Sequence, residues 1–209
     1  MALLLFIAGG AGAGKTTLAR ALARRCHMAL LDMDTLLRPA AEAIMTGAGL
    51  DPSDRDSAEY KRLCRDLGYR ITMDAALDLL SNGQDAIVIG PFTRELEDPA
   101  WLEGELAKLR DGGAFPQAPE PIEVKVLLVQ LPSVEQYYER IRTRGSELDQ
   151  WKLDHWETFS ASLVRRQVRW PLSDGAVLDW DNSEPLTEER LALLEQFVHG
   201  DEKKAGAGR

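Results

Sequence analysis

Apolar positions fall along this chain in two alternating rhythms. Residues 3–8 form an unbroken apolar run of strand length, and glycines and helix formers follow in which Leu18, Ala21 and Leu22 keep helical spacing. A second short strand is predicted over 28–31, ending in Asp32-Met33-Asp34. From 57 to 82 the stripe Tyr60, Leu63, Cys64, Leu67 and Ile71 predicts helix, interrupted at Gly68 and closed by Gly83. Buried strands are predicted over 86–89, 124–131 and 176–180. After the fourth strand, Val134, Tyr137, Tyr138 and Ile141 keep helical spacing up to Gly145, a natural C-cap. A helix is predicted over 151–170, with Trp156, Phe159, Leu163 and Trp170 on one face and Arg165 and Arg169 on the other. A last helix is expected over 187–199. Residues 111–121 read as a loop and 200–209 as a disordered tail. Strands alternating with helices predict a parallel sheet covered on both faces, in a single domain spanning 1–199.

Composition narrows the picture. The chain has 209 residues, is 44% apolar and carries no run long enough to cross a bilayer. The apolar start lacks a basic leader and enters a glycine turn, so it reads as a buried strand rather than a signal peptide, and the cytoplasm is the expected location. A net charge of −9 argues against a nucleic-acid partner. Cys26 and Cys64 have no metal-type spacing and are expected as packed thiols. His27, His155 and His199 form no metal or nucleophile pattern, and Trp151, His155 and Trp156 read as packing.

The chemistry begins at Gly9-Gly10-Ala11-Gly12-Ala13-Gly14-Lys15-Thr16, a full G-x-x-x-x-G-K-[ST] between a predicted strand and a predicted helix. Small residues let the amides from Gly10 to Gly14, with Ala11 and Ala13 between, and those of Lys15, Thr16 and Thr17 wrap phosphate oxygens at a helix N-terminus. Lys15 suits the β- and γ-phosphates, and the Thr16 hydroxyl suits Mg²⁺. No N-K-x-D guanine reader is present, and no strand ends in the Asp-Glu pair of a hydrolytic motor. Asp32 and Asp34 stand at the carboxyl end of the second strand, where open parallel sheets bind ligands. In an extended chain both point one way, so one carboxylate can serve Mg²⁺ and the other an acceptor's proton. The plainer reading has one of them capping the next helix.

Taken in order, AGGAGAGKTTLARAL, LLDMD, GQDAIVIGPFTREL, ERIRTRG with WKLDHW, and VLDWDNSEPL resemble the small-molecule kinases of the P-loop superfamily. That group includes relatives of shikimate kinase, gluconate kinase and chloramphenicol phosphotransferase. The resemblance implies an α/β P-loop NTPase fold: five parallel strands in the order 2-3-1-4-5, helices on both faces, and a short arginine-bearing lid over about 140–170. It implies ATP and Mg²⁺, with Asp34 against the acceptor hydroxyl and Asp32 near the metal. It places Arg140, Arg142 and Arg144 in the lid, with Arg144 best placed over the phosphates. Lids of this kind often carry a further arginine where this chain reads Ser146-Glu147-Leu148-Asp149, so either Arg165 or Arg169 takes that part or the lid closes more weakly. Asn182 falls where such folds pack the adenine. Arg38, Arg65, Tyr69 and Arg94 flank the acceptor side and suit an acidic compound. Glu95, Glu97 and Asp98 beside them suit a cationic one, and the sequence leaves both open. The expected activity is phosphoryl transfer to a hydroxyl of a small molecule. The alternatives are a nucleotide or polynucleotide 5′-hydroxyl kinase and an ATP-binding regulator with little turnover.

Overall fold

A computed structural model describes residues 2–110, 121–146 and 149–200. The chain runs β1 (Ala2–Ala8), α1 (Lys15–Cys26), β2 (Ala29–Asp32), α2 (Met33–Gly47), α3 (Ala58–Ser81), β3 (Ala86–Gly90), α4 (Trp101–Arg110), β4 (Ile122–Gln130), α5 (Val134–Arg144), α6 (Gln150–Asp154), α7 (Trp156–Ser160), β5 (Val177–Asp181) and α8 (Glu188–His199). The five strands form one sheet in the order β2-β3-β1-β4-β5, and every pairing is parallel. β1 lies at the centre, and all seven of its residues are buried, as a strand covered on both faces requires.

Alternation along the strands feeds two cores. Leu4, Phe6, Val88 and Val126 meet α3 and Trp170 on one face, while Leu5, Ile7, Ile87 and Leu127 meet α1 and α8 on the other. A satellite core joins α2 to α3 through Leu37, Ala41, Met45, Tyr60 and Cys64. Gly68 does not interrupt α3. A Cβ there would lie 2.9 Å from Leu37 Cδ2, so the glycine lets α2 approach closely.

Three expectations need correction. α4 lies where no helix was read from the sequence, and α2 was read only as the helix that Asp32 or Asp34 would cap, with no extent given, although Met33, Leu37, Ala41 and Met45 share a helical face despite Pro39. The helix expected over 151–170 is instead α6, α7 and an irregular segment. Its turns are lost at Ser160 and Ser162, whose hydroxyls bond back to the Glu157 and Phe159 carbonyls. Beyond them, Arg169 N–H donates to Leu96 O at 2.8 Å, where a continuous helix would turn it to the carbonyl four residues back, and Trp170 Nε1 donates to Glu95 O at 2.7 Å. Third, Asp34 is not in extended chain, because α2 begins at Met33. The loop expected over 111–121 and the tail over 200–209 fall almost entirely outside the described residues. No described helix is long and apolar enough to cross a membrane.

Candidate functional site

The turn from β1 into α1 is built for close approach. A Cβ on Gly9 would overlap the Val129 carbonyl, and one on Gly14, in the left-handed region at φ 90°, would overlap the Asn182 amide. α1 starts with no side-chain cap and no acidic residue in its first turn, which leaves its amides and partial positive charge to a ligand. Lys15 Nζ donates to the carbonyls of Gly9 and Gly10 at 2.9 Å each. Burial lowers the Lys15 ammonium to about 8, against the upward pull of Asp34 and Asp32.

Asp32 has two tasks. Its Oδ1 accepts the Asp34 N–H at 3.1 Å and so caps α2, and its Oδ2 accepts the Thr16 hydroxyl at 3.4 Å. Asp34, in the first turn of α2, opens on the cleft. Desolvation there and the Asp32 charge raise its carboxyl above the ordinary range, while Lys15 pulls it down. Lys15, Thr16, Asp32 and Asp34 thus converge at the carboxyl ends of β1 and β2.

The arginines separate. Arg140 reaches backbone carbonyls rather than open space, donating to Ala13 O at 3.4 Å and Ser183 O at 3.2 Å, and Asn182 Nδ2 donates to Ala13 O at 2.8 Å. These two residues clamp the glycine turn to the loop after β5. Arg142 is exposed and paired with Glu139. Arg144 gives Asp149 two hydrogen bonds, at 2.7 and 2.6 Å, and its charge is felt at Lys15. Asp149 is 1% exposed and also meets Lys152 of α6, which reaches across to Asp56 at 2.8 Å. The charges of Lys152 and Asp56 both act on Asp34.

Of the two arginines expected at the further lid position, Arg165 lines the recess beside Gly9 and Gly10, and Arg169 does not. Arg165 pairs on the surface with Asp179, and Arg169 is exposed. Arg166, absent from the sequence reading, lines with Arg165 the same recess beside Gly9 and Gly10. Its Nη1 donates to Thr93 Oγ1 at 2.6 Å, and its charge lowers Lys15. The only sequence signal was its place between two arginines already noted. On the acceptor side, Arg38 lies one turn beyond Asp34 and lines an open recess of about 870 Å³ with Glu42, Thr46, Ser53 and Arg55. Arg65 binds Glu95, and Arg94 is exposed on the turn after β3.

A family model described as an AAA domain matches residues 4–165, from β1 to the segment after α7. The chain belongs to that family. No curated protein sequence matches this AAA domain significantly. Among solved structures it is similar to a candidate kinase from Chloroflexus aurantiacus, at 20% identity and a TM-score of 0.63, over 94% of this chain and 98% of that one. It is also similar to a sugar kinase from Janibacter sp., at 17% identity and a TM-score of 0.59, over 95% of this chain and 94% of that one. Both share the fold of this AAA domain, a nucleotide-binding P-loop sheet with helices on both faces.

Proposed function

We propose that this AAA domain is a single-domain cytoplasmic kinase, spanning 1–199 with its lid over about 140–170, that transfers the γ-phosphoryl group of ATP to a hydroxyl of a small molecule. The observation that carries the reading is Asp34, a carboxylate with a raised pKa opening on the cleft beside Lys15. A carboxylate so placed can take the proton of a hydroxyl brought up to the phosphate turn.

The donor set fits Mg²⁺–ATP. The uncapped, acid-free start of α1 suits phosphate, and a hydroxyl beside a carboxylate suits a hard cation. Among the described residues no cluster of three or more His, Cys, Asp or Glu could cage a metal, so an ion here relies on Thr16, Asp32 and phosphate oxygens. When bound, Mg²⁺–ATP supplies the phosphoryl group and the positive charge that steadies it. The amides from Gly10 to Thr17 hold the phosphates, and the Lys15 ammonium and the guanidinium edge that Arg144 leaves free of Asp149 offset the moving charge. Asp34 takes the acceptor's hydroxyl proton. Arg140 and Asn182 hold the loop on which the base of the nucleotide rests.

The test is ADP release from Mg²⁺–ATP with pooled sugars, nucleosides, amino alcohols and aminoglycosides, comparing the native protein with Asp34→Asn. Stimulated turnover is expected to fall by about 10²–10⁴-fold in the variant, with ATP affinity changed only a few-fold. Undiminished turnover in the variant, or ATP binding that no pool converts into turnover, would sink the reading.

A further inference from the structure

Arg144 meets a carboxylate at one edge of its guanidinium and nothing at the other. It stands one turn beyond Arg140 on α5, the helix that packs against the phosphate turn: Arg140 donates to Ala13 O, and a Cβ on Gly12 would lie 2.8 Å from Ile141 Cγ1. Arg144 Nε donates to Asp149 Oδ2 at 2.7 Å, and its Nη2 donates to Asp149 Oδ1 at 2.6 Å. Both oxygens thus grip the Nε–Nη2 edge, and the edge formed by Nη1 and the second Nη2 hydrogen has no partner among the described residues. Asp149 is 1% exposed and the Arg144 side chain 52%, so the carboxylate is the fixed member of the pair. Asp149 is held in turn. Lys152 Nζ lies 3.3 Å from Asp149 Oδ1 and 2.8 Å from Asp56 Oδ2, and beside it the Lys61 ammonium of α3 lies 5.8 Å from the centre of the Trp151 ring. α3 packs on α2 through Tyr60, Cys64, Leu37 and Ala41, and α2 carries Asp34 in its first turn. One frame therefore holds both the Asp34 carboxylate and the Arg144 guanidinium.

We propose that Asp149 is a positioning residue: its paired hydrogen bonds fix the Arg144 guanidinium so that the Nη1–Nη2 edge is presented to the terminal phosphate of a nucleoside triphosphate. The proposal rests on the kinase reading and adds to it a residue that touches neither nucleotide nor acceptor. An arginine free to turn must lose that freedom when it meets a ligand, whereas one gripped by a carboxylate has lost it in folding. The geometry suits planar recognition. With the Nε–Nη2 edge taken, the remaining edge offers two parallel N–H groups, the fork that matches two phosphate oxygens. Asp149 alone would cancel the charge that Arg144 offers, and Lys152 beside it offsets that loss. The kinase reading places the fork at the γ-phosphate, so a diphosphate leaves it unused.

The experiment is calorimetric titration with two Mg²⁺-bound probes, ADP and the non-hydrolysable β,γ-imido analogue of ATP. Asp149→Asn keeps the shape of the side chain but not its paired acceptors. It is expected to weaken binding of the imido analogue about tenfold while ADP affinity stays within about twofold of native. Arg144→Met is expected to show the same selective loss, and Asp149→Asn added to it is expected to change nothing further. Unchanged binding of the imido analogue in Asp149→Asn overturns the proposal. Equal weakening of both probes also overturns it, because that marks a disturbed fold rather than a misaimed arginine. So does a loss that persists at full size once Arg144 is gone. Arg144→Lys gives a second route that leaves the buried carboxylate untouched: it keeps the charge without the fork and is expected to lose the imido analogue selectively as well. A lysine variant with native affinity for both probes overturns the proposal. A native protein that binds neither probe fails the kinase reading itself, whereas one that binds both and keeps its native preference in Asp149→Asn fails this proposal alone.

Discussion

Burial sets the protonation of both Lys15 and Asp34, each of which also acts on the other, and the pH dependence of the site follows. Burial holds Lys15 near 8, so its ammonium is intact below that pH and lost above it. The attraction for phosphate disappears with the proton. Affinity for ADP in the presence of Mg²⁺ is therefore expected to be flat through neutrality and then to fall by up to about tenfold per pH unit above about 8. Titrations between neutral and alkaline pH check this, and an affinity indifferent to pH there would show that the lysine keeps its charge. Asp34 acts on the opposite limb. Desolvation and Asp32 raise its carboxyl, so the base form is lost at a higher pH than for an ordinary aspartate. The kcat/KM of the free enzyme should then decline on the acid side from above the normal carboxylate range. Asp34→Asn should remove that limb together with most of the rate.

Among the elements, α6 has the least to hold it except charge. It is five residues long, and its buried Lys152 joins Asp149 on its own side to Asp56 on the connection before α3. That chain of ion pairs runs from Arg144 across the mouth of the cleft that contains Asp34. Lys152→Met keeps the apolar stem but breaks the link to Asp56, leaving Asp149 with Arg144. Amide exchange over residues 149–160 is expected to quicken at least tenfold in this variant, while β1 and α3 stay protected. Unchanged exchange would mean that packing by Trp151 and Trp156 holds the lid instead. The sequence showed little of this. It revealed β1, the glycine turn and α1 because a strand buried on both faces is a continuous apolar run and the phosphate turn is local. It brought Lys15, Thr16 and Asp32 together for the same reason of short spacing, but put Asp34 in extended chain rather than in the first turn of α2. It gave α2 no extent, where Pro39 sits among small residues, and joined α6, α7 and the following segment into one helix, because periodicity is blind to the hydrogen bonds made with the Glu95 and Leu96 carbonyls. Arg166 was out of reach in principle: its partner Thr93 lies 73 residues away in the chain.

Over the whole molecule, the cleft is assembled from parts that only the sheet brings together: Lys15 after β1, Asp34 after β2, Thr93 after β3 and, bonded to it, Arg166 on the segment before β5. The last of these lies in a segment without helix or strand hydrogen bonding, and Trp170 supplies its anchor. Its ring is 5% exposed, stacks on Trp101 at 5.6 Å and meets Phe6 edge-on at 4.8 Å, so the segment is pinned directly against the central strand. Its indole N–H reaches the Glu95 carbonyl, which couples the position of Arg166 to that of Glu95. The two contributions separate by substitution. Trp170→Ala removes the ring and is expected to cost about 3–5 kcal/mol of global stability, read by denaturant unfolding. Trp170→Phe keeps most of the apolar surface but leaves the Glu95 carbonyl without its donor, a loss of about 1–3 kcal/mol. In that second variant the fold should persist while exchange of the Arg169 amide accelerates and stimulated ADP release falls. Equal losses of stability in the two variants would mean that the hydrogen bond, not the aromatic stack, holds the segment. Full activity in Trp170→Phe would mean that Arg166 keeps its bond to Thr93 without this anchor.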